Sequence, residues 1–235
     1  MTMVGAGRSS TRVTGSRVGL LEEVTSKDKY FDYSCSVQGQ MERLGDVARV
    51  AFYRAIIKAN PGLFRGKVVL DVGAGAGLLA LLAAEAGASL VVALEVTALA
   101  PLTELVARAN TSRITVVRGE VGEVELPVDR VDVILSDWAG PGLLHESLAA
   151  AVLTARDRWL VAGGAMVPDR ATLTLAATSA RVAEGREWWR NVWGFDMSAI
   201  ERSSLGEAQV ERVAEKEVVT NSCLVAEISL YTCTR

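Results

Sequence analysis

One stretch of the sequence, residues 67–77, constrains the fold more than any other. Residues 68–70 form a short, uninterrupted apolar run rich in β-branched side chains, which is typical of a central strand buried on both faces of a parallel sheet. Three glycines follow at alternate positions: Gly73, Gly75 and Gly77. They remove side chains where a ligand would approach the backbone, and a leucine-rich helix begins after them at Leu78. The stretch therefore predicts the first strand, turn and helix of a Rossmann-like domain.

The spacing of these glycines distinguishes between two classes of nucleotide ligand. A dinucleotide fingerprint places its third glycine three positions after the second, where this chain has Leu78. Residues 89–94 predict the second strand, and Glu95 follows at its carboxyl end, where an acid can accept hydrogen bonds from ribose hydroxyls. This order of elements, with Asp71 before the glycines, resembles the S-adenosylmethionine (SAM) site of class I methyltransferases. The alternative is a glycine-rich turn in an α/β domain that binds no ligand.

Composition limits the class of protein without identifying a partner. The 235 residues suffice for one α/β domain and a smaller unit, and the hydrophobic fraction of 50% suffices for a packed core. The net charge of −3 favours neither a nucleic-acid nor a membrane surface. Three widely spaced cysteines indicate neither a disulfide framework nor a metal site. The chain has no apolar run of membrane-spanning length and no secretory signal, so we expect a cytoplasmic or nuclear protein.

Two acidic residues flank a loop after the predicted fourth strand. Residues 131–135 predict this strand, which places Asp137 at the carboxyl edge of the sheet, where open α/β sheets bind ligands. Glu146 follows a tight Gly-Pro-Gly loop and begins a helix that reaches about Trp159. Both carboxylates are therefore expected beside the glycine turn. The alternative for Glu146 is a solvent-exposed residue in the first turn of a helix, where its charge interacts with the helix dipole.

The segments on either side of this domain differ in their predicted secondary structure. Apolar residues recur at helical spacing between Met41 and Ile56, which predicts one amphipathic helix. Beyond Gly163 and Gly164, strands are predicted at residues 171–175 and 224–231. Between these strands lies an aromatic cluster that we expect to be buried, either in the chain's own core or against a partner. Its members are Trp188, Trp189, Trp193, Phe195 and Met197.

Several further motifs make the resemblance more specific. They are Tyr30-Phe31, Asp71-x-Gly-x-Gly-x-Gly, Ser136-Asp137-Trp138-x-Gly140, Glu146-Ser147, residues 168–173 (PDRATL) and Trp189-x-x-Val192-x-Gly194-Phe195-Asp196-Met197. Together they resemble type I protein arginine methyltransferases, from about Lys29 to the last residue. This resemblance implies an α/β fold, with a SAM-binding Rossmann-like domain with an N-terminal helix at 28–167 and a partial β-barrel at 168–235. It also implies a dimerisation arm at about 185–205. Residues 1–27 are rich in Ser, Thr, Gly and Arg without any period, which predicts a disordered tail.

The resemblance also assigns roles to individual residues. It implies that SAM is the cofactor and that Asp137 and Glu146 form the acidic pair that holds a substrate guanidinium on a protein. The implied cofactor-binding residues are Tyr30, Phe31, Arg49, Asp71, Gly73, Gly75, Gly77 and Glu95, with Arg49 on the methionine carboxylate. The aromatic cluster corresponds to the arm by which each subunit grips its neighbour. The family makes monomethyl- and asymmetric dimethylarginine.

The chain departs from the family's pattern at several of these positions. Asp137 replaces a glutamate, Ser34 a tyrosine, Arg43 a methionine that lines the arginine pocket, and Gly122 a glutamate near the adenine. The family's barrel, with a Thr-His-Trp loop whose histidine supports the acidic pair, continues past the position of Arg235. We therefore expect a weak or inactive regulatory subunit, a prozyme, that assembles into a homo- or hetero-oligomer with a related arginine methyltransferase. The alternative is an active type I enzyme.

Overall fold

The computed structural model describes residues 33, 35–145, 147–179, 188–200 and 212–234. Its helices are α1 (Val37–Gly45), α2 (Val47–Ala59), α3 (Pro61–Phe64), α4 (Leu78–Glu85), α5 (Ala100–Asn110) and α6 (Ala149–Trp159), with a short 3-10 helix at Glu215–Glu217. Its strands are β1 (Val68–Val72), β2 (Leu90–Glu95), β3 (Ile114–Arg118), β4 (Val131–Leu135), β5 (Leu160–Val167), β6 (Arg170–Leu175) and β7 (Cys223–Ser229). None of the helices in these ranges is long and apolar enough to cross a membrane.

Five parallel strands form the central sheet in the order β3-β2-β1-β4-β5. The first strand, β1, lies in the middle, and its Leu70 is in register with Val92 of β2 and Ile134 of β4. The order of connection reverses at β1, which creates a switch point between β1 and β4 at the carboxyl edge of the sheet. The predicted Rossmann-like fold is confirmed, and its ligand-binding edge lies where the glycine turn begins.

The sheet is buried on both faces by two apolar clusters. Val69 faces one cluster, which contains Phe64 of α3 and the small residues of α4, whereas the next residue, Leu70, faces the other. This second cluster contains Trp138 and Trp159, which are 1% and 5% exposed. The alternation follows from the two-residue period of a strand, so the apolar run in β1 supplies both cores at once.

The N-terminal helical region contains two helices, so the prediction of a single helix is wrong. Asp46 separates α1 from α2 in an extended conformation, and its side chain accepts a hydrogen bond from the Arg49 amide at 3.0 Å. This contact caps α2 in the usual way for an aspartate.

The sequence analysis also missed β5, whose two central glycines are typical of a turn. Val131 pairs with Leu160 and Val133 with Ala165, so β5 bulges between these two contacts. Gly163 has a φ of +74°, and a Cβ on Gly164 would lie 2.9 Å from the Asp132 carbonyl oxygen. The glycines therefore permit a bulge against β4 and do not end the sheet.

The C-terminal part of the described chain contains a second, smaller sheet. The strands β6 and β7 pair antiparallel, in agreement with the prediction of two strands there. The strand β7 leads to Leu230, which is 1% exposed and belongs to the core beneath the central sheet. Arg156 of α6 donates hydrogen bonds to the carbonyls of Leu230 and Cys233 at 2.5 and 2.8 Å, and so joins this C-terminal segment to α6.

We predict that Gly164→Ala destabilises the fold by about 1 to 3 kcal/mol, because the new methyl group would overpack against the β4 backbone. Gly62→Ala in α3 is the matched control, since a Cβ there meets no atom within 4 Å. Alanine is also a better helix former than glycine, so this control should be neutral or stabilising. Urea unfolding measures both free energies, and equal stabilities of the two variants would contradict the bulge contact.

Candidate functional site

A cleft opens at the carboxyl edge of the sheet, above the switch point between β1 and β4. The glycine turn after β1 and the residues that follow β2 form its floor, and α1 and α2 cover it from the N-terminal side. Its lining residues include Gln40, Arg43, Arg49, Tyr53, Gly73, Gly75, Glu95, Thr97, Asp137 and Leu148. Five residues that the sequence analysis selected therefore meet in one cleft, namely Arg49, Gly73, Gly75, Glu95 and Asp137.

The glycine turn has a backbone that other residues adopt only with strain. Gly73, Gly75 and Gly77 have φ values of +75°, +54° and +89°. A Cβ on Gly73 would lie 2.4 Å from Leu148 Cδ1, so the turn also lacks room for a side chain there. Gly77 is buried and lies at the N-cap of α4, so it shapes the turn without lining the cleft. Gly73 and Gly75 thus expose backbone to the cleft.

Glu95 is fixed against this turn by two backbone amides. Its Oε2 accepts a hydrogen bond from the Gly75 amide at 2.7 Å, and its Oε1 accepts one from the Thr97 amide at 2.8 Å. The residue is 4% exposed but still lines the cleft. Each carboxylate oxygen can accept more than one hydrogen bond, so the ion retains capacity for hydroxyl groups of a ligand.

Gln40 of α1 contacts the same turn from the other side, which the sequence analysis did not anticipate. Its Oε1 accepts a hydrogen bond from the Ala76 amide at 3.0 Å. A Cβ on Gly75 would lie 3.1 Å from this oxygen, so glycine is also favoured there by the close approach of α1. The only available signal was the helical spacing of Gln40 and Arg43, which places both on one face.

Asp137 receives three hydrogen bonds from the two N-terminal helices. Its Oδ2 accepts from Arg49 Nη1 at 2.9 Å and from Arg43 Nη2 at 3.3 Å, and its Oδ1 accepts from the Tyr53 hydroxyl at 3.2 Å. Burial, followed by the neighbouring Asp137 charge, raises the pKa of Tyr53 above its usual range. The tyrosine therefore remains a neutral donor, and the Asp137 carboxylate is surrounded by the chain's own donors.

Asp71 lies beneath the turn and not in the cleft. It is 0% exposed, and neither of its carboxylate oxygens has a hydrogen-bond partner of normal geometry. Burial raises the pKa of Asp71 to about 8, and the nearby charges of Glu95 and Asp137 add to the rise, whereas the Ala80 amide opposes it. The carboxyl group is therefore protonated at neutral pH.

Comparison with known proteins identifies the family. Residues 169–235 match the arginine methyltransferase oligomerization subdomain. The chain is 39% identical over 229 residues to protein arginine N-methyltransferase 1 of Dictyostelium discoideum, and the match covers 94% of this chain and 67% of that protein. The chain belongs to the protein arginine methyltransferase family.

Other members of the arginine methyltransferase family match over a smaller share of their length. Protein arginine N-methyltransferase 8-B of Danio rerio is 44% identical over 215 residues, which cover 90% of this chain and 51% of that protein. Among solved structures, the Trypanosoma brucei PRMT1 enzyme-prozyme heterotetrameric complex with AdoHcy matches with a TM-score of 0.80 and 34% identity, over 86% of this chain and 65% of that one. The chain thus spans about half to two thirds of the length of these relatives.

Three of the predicted site residues lie outside the described residues: Tyr30, Phe31 and Glu146. Ser34, one of the departures from the family pattern, lies outside them too. Asp137 is the described member of the predicted acidic pair. Its loop contains a turn in which Gly140 and Leu143 exchange backbone hydrogen bonds at 3.0 and 2.9 Å, and Leu143 has a φ of +75°. A branched side chain in this conformation stores strain in the loop that follows Asp137.

The aromatic cluster lies on the surface of the chain, within the described part of the predicted arm. Val192 and Phe195 exchange backbone hydrogen bonds at 2.9 and 3.1 Å, which closes a tight turn around Trp193 and Gly194. Trp193 has a φ of +57° and is 94% exposed. Of the two alternatives for this cluster, burial in the chain's own core is therefore wrong for Trp193.

We predict that the stability of the wild-type chain falls as pH rises, because of Asp71. The native pKa of about 8 lies above the ordinary value of 3.8, so the folded chain keeps a proton that the unfolded chain releases. This stabilisation is complete below the unfolded pKa and is lost as pH rises through the folded one, by at most about 1.4 kcal/mol per pH unit. Urea unfolding at pH 5, 6, 7 and 8 should show this slope in the wild type and a shallower slope in Asp71→Asn. Equal slopes would contradict a protonated Asp71.

Proposed function

We propose that this chain is a weakly active or inactive regulatory subunit of the arginine methyltransferase family, which binds SAM and assembles with a related, active methyltransferase. One observation carries the proposal: the Asp137 carboxylate, at the position of the family's first clamp acid, is already bonded by Arg49, Arg43 and Tyr53. A substrate guanidinium is permanently charged and needs a free carboxylate to hold and orient it.

The cofactor half of the site fits SAM. The glycine turn leaves room for a ligand against the backbone, and Glu95 keeps acceptor capacity for ribose hydroxyls. Arg49 lies at the edge of the same cleft, where its guanidinium can bind a carboxylate. When bound, SAM supplies an electrophilic methyl group on sulfur. Arg49 must divide its hydrogen bonds between that cofactor's carboxylate and Asp137, so we expect SAM to bind more weakly than in a site where the arginine has no such second partner.

The clamp half of the site is compromised in two ways. Aspartate is one methylene shorter than glutamate, and a displacement of about 1 Å at a reacting group can lose on the order of a hundredfold in rate. In addition, the two arginines place like charges beside any incoming guanidinium. These observations favour the regulatory subunit over an active type I enzyme, although the convergence of Glu95, Arg49 and Asp137 in one cleft is what an active enzyme would also need.

The exposed arm supports assembly with a second subunit. Trp193 projects from its turn with a positive φ, which disfavours an L-residue by about 1 to 2 kcal/mol. Such an exposed, strained tryptophan gains the large buried area of an interface anchor only when another surface covers it. Apolar residues on the solvent face of α5, Leu102, Leu105 and Val106, offer a surface of matching character on a second copy or a relative.

We predict that the purified chain binds AdoHcy but methylates arginine peptides far more slowly than about 1 per second, the lower end of ordinary enzyme turnover. Asp137→Glu alone should not restore turnover, because Arg43 and Arg49 still face the carboxylate. Calorimetric titration measures binding, and tritium transfer from labelled SAM measures turnover, with an active family member as the positive control. Turnover of 1 per second or faster by the wild type would show that the chain is an active enzyme.

We predict that Trp193→Ala weakens assembly with an active relative by about 30-fold or more, as expected for an interface anchor worth at least 2 kcal/mol. Light scattering of the co-expressed proteins measures association, and the partner's methylation rate should fall with it. Leu63→Ala is the control, since Leu63 is 37% exposed on α3 and lies outside the arm. A wild-type chain that stays monomeric at micromolar concentration with its relative would disprove the assembly.

A further inference from the structure

Arg43 contacts the candidate clamp through one nitrogen of its guanidinium group. Its Nη2 donates to Asp137 Oδ2 at 3.3 Å, and the two side chains are only 28% and 21% exposed. The same oxygen accepts from Arg49, and the other oxygen accepts from Tyr53. A carboxylate offers about four lone-pair positions, so three of them are directed at donors from the chain itself.

The position of Arg43 depends on how α1 lies across the cleft. Within α1 only Gly39 is buried, so an apolar core does not account for the helix's placement. Gln40 binds the Ala76 amide of the glycine turn, and Arg43, one turn later on the same face, binds Asp137. These two polar contacts place α1 over both halves of the site at once. Val37 and Met41, in contrast, remain exposed to solvent.

We propose that Arg43 is an internal occupant of the guanidinium subsite, which excludes the arginine of another protein from Asp137. This inference rests on the proposed function, in which Asp137 belongs to the clamp. A guanidinium that approaches Asp137 Oδ2 meets the charges of both Arg43 and Arg49 and must displace the Arg43 ion pair. Arg43 thus determines specificity by selecting against cationic substrates while α1 is docked.

A purely structural ion pair would behave differently. If Arg43 only fastened α1 to the sheet, its removal would lower stability and leave the affinity for an arginine peptide unchanged or lower. If Arg43 occupies the subsite, its removal raises that affinity. The two roles therefore predict changes of opposite sign in one measurement.

The experiment is calorimetric titration of the AdoHcy-saturated chain with a peptide that carries a single arginine between glycines. Arg43→Met should bind this peptide at least about tenfold more tightly than the wild type, because a charge-assisted competitor has been removed. Arg43→Lys should remain weak, since it keeps the charge. The control is Arg108→Met, which removes the same charge from an exposed pair with Glu104 on α5. A peptide with citrulline in place of arginine should show no gain with Arg43→Met.

Arg43→Gln is the second neutral variant, in case the methionine disturbs α1, and the AdoHcy affinity of each variant verifies its fold. The inference is overturned if both neutral variants bind AdoHcy normally but bind the arginine peptide no better than the wild type. Rapid turnover by the wild type would contradict the proposed function, whereas unchanged peptide affinity contradicts only the occupancy by Arg43.

Discussion

The carboxylate of Asp137 connects the end of β4 to both N-terminal helices. Arg43 comes from α1, whereas Arg49 and Tyr53 come from α2, and all three donate to this one group. Without it, Arg43 and Arg49 would lose the carboxylate oxygen on which both guanidinium groups converge. Asp137 is therefore a contact that the two helices share at the edge of the sheet, beside the separate contact of Gln40 with the Ala76 amide. Under the proposed function, a substrate guanidinium would need the same carboxylate, so the contacts that hold the helices over the cleft would compete with substrate binding.

The parallel sheet determines which residues meet at this edge. Its strands bring Gly73, Glu95 and Asp137 to one edge, because β1, β2 and β4 are adjacent and end at the same level. Gly73 and Glu95, on the proposed cofactor side, and Asp137, on the proposed clamp side, consequently line one cleft together with Arg49. Under the proposed function, a cofactor carboxylate that binds Arg49 would therefore weaken the hydrogen bond between Arg49 and Asp137. This one side chain would couple the two halves of the site.

Much of this arrangement could be predicted from local sequence, and the exceptions have physical causes. The strands β1 to β4 are short apolar runs, and the carboxyl-edge rule correctly groups Glu95 with Asp137. The strand β5 was missed because Gly163 and Gly164 serve a bulge, which single-sequence patterns do not distinguish from a turn. The contact between Arg43 and Asp137 joins residues far apart in the chain, and it depends on the break at Asp46 that sets the direction of α1. The sequence indicated an unfavourable charge near the pocket but not its ion pair.

Two successive amides of the glycine turn donate hydrogen bonds to side chains of two different elements, β2 and α1. The Gly75 amide donates to Glu95, at the end of a central strand, and the Ala76 amide donates to Gln40, on a helix with little buried surface. Deuterium exchange at these neighbours consequently reports two separate openings. Exchange at Gly75 requires release of the amide by the Glu95 side chain, whereas exchange at Ala76 requires its release by the Gln40 side chain of α1. The exchange rate at Ala76 thus reports the contact with α1, and the rate at the neighbouring Gly75 reports the contact with the end of β2.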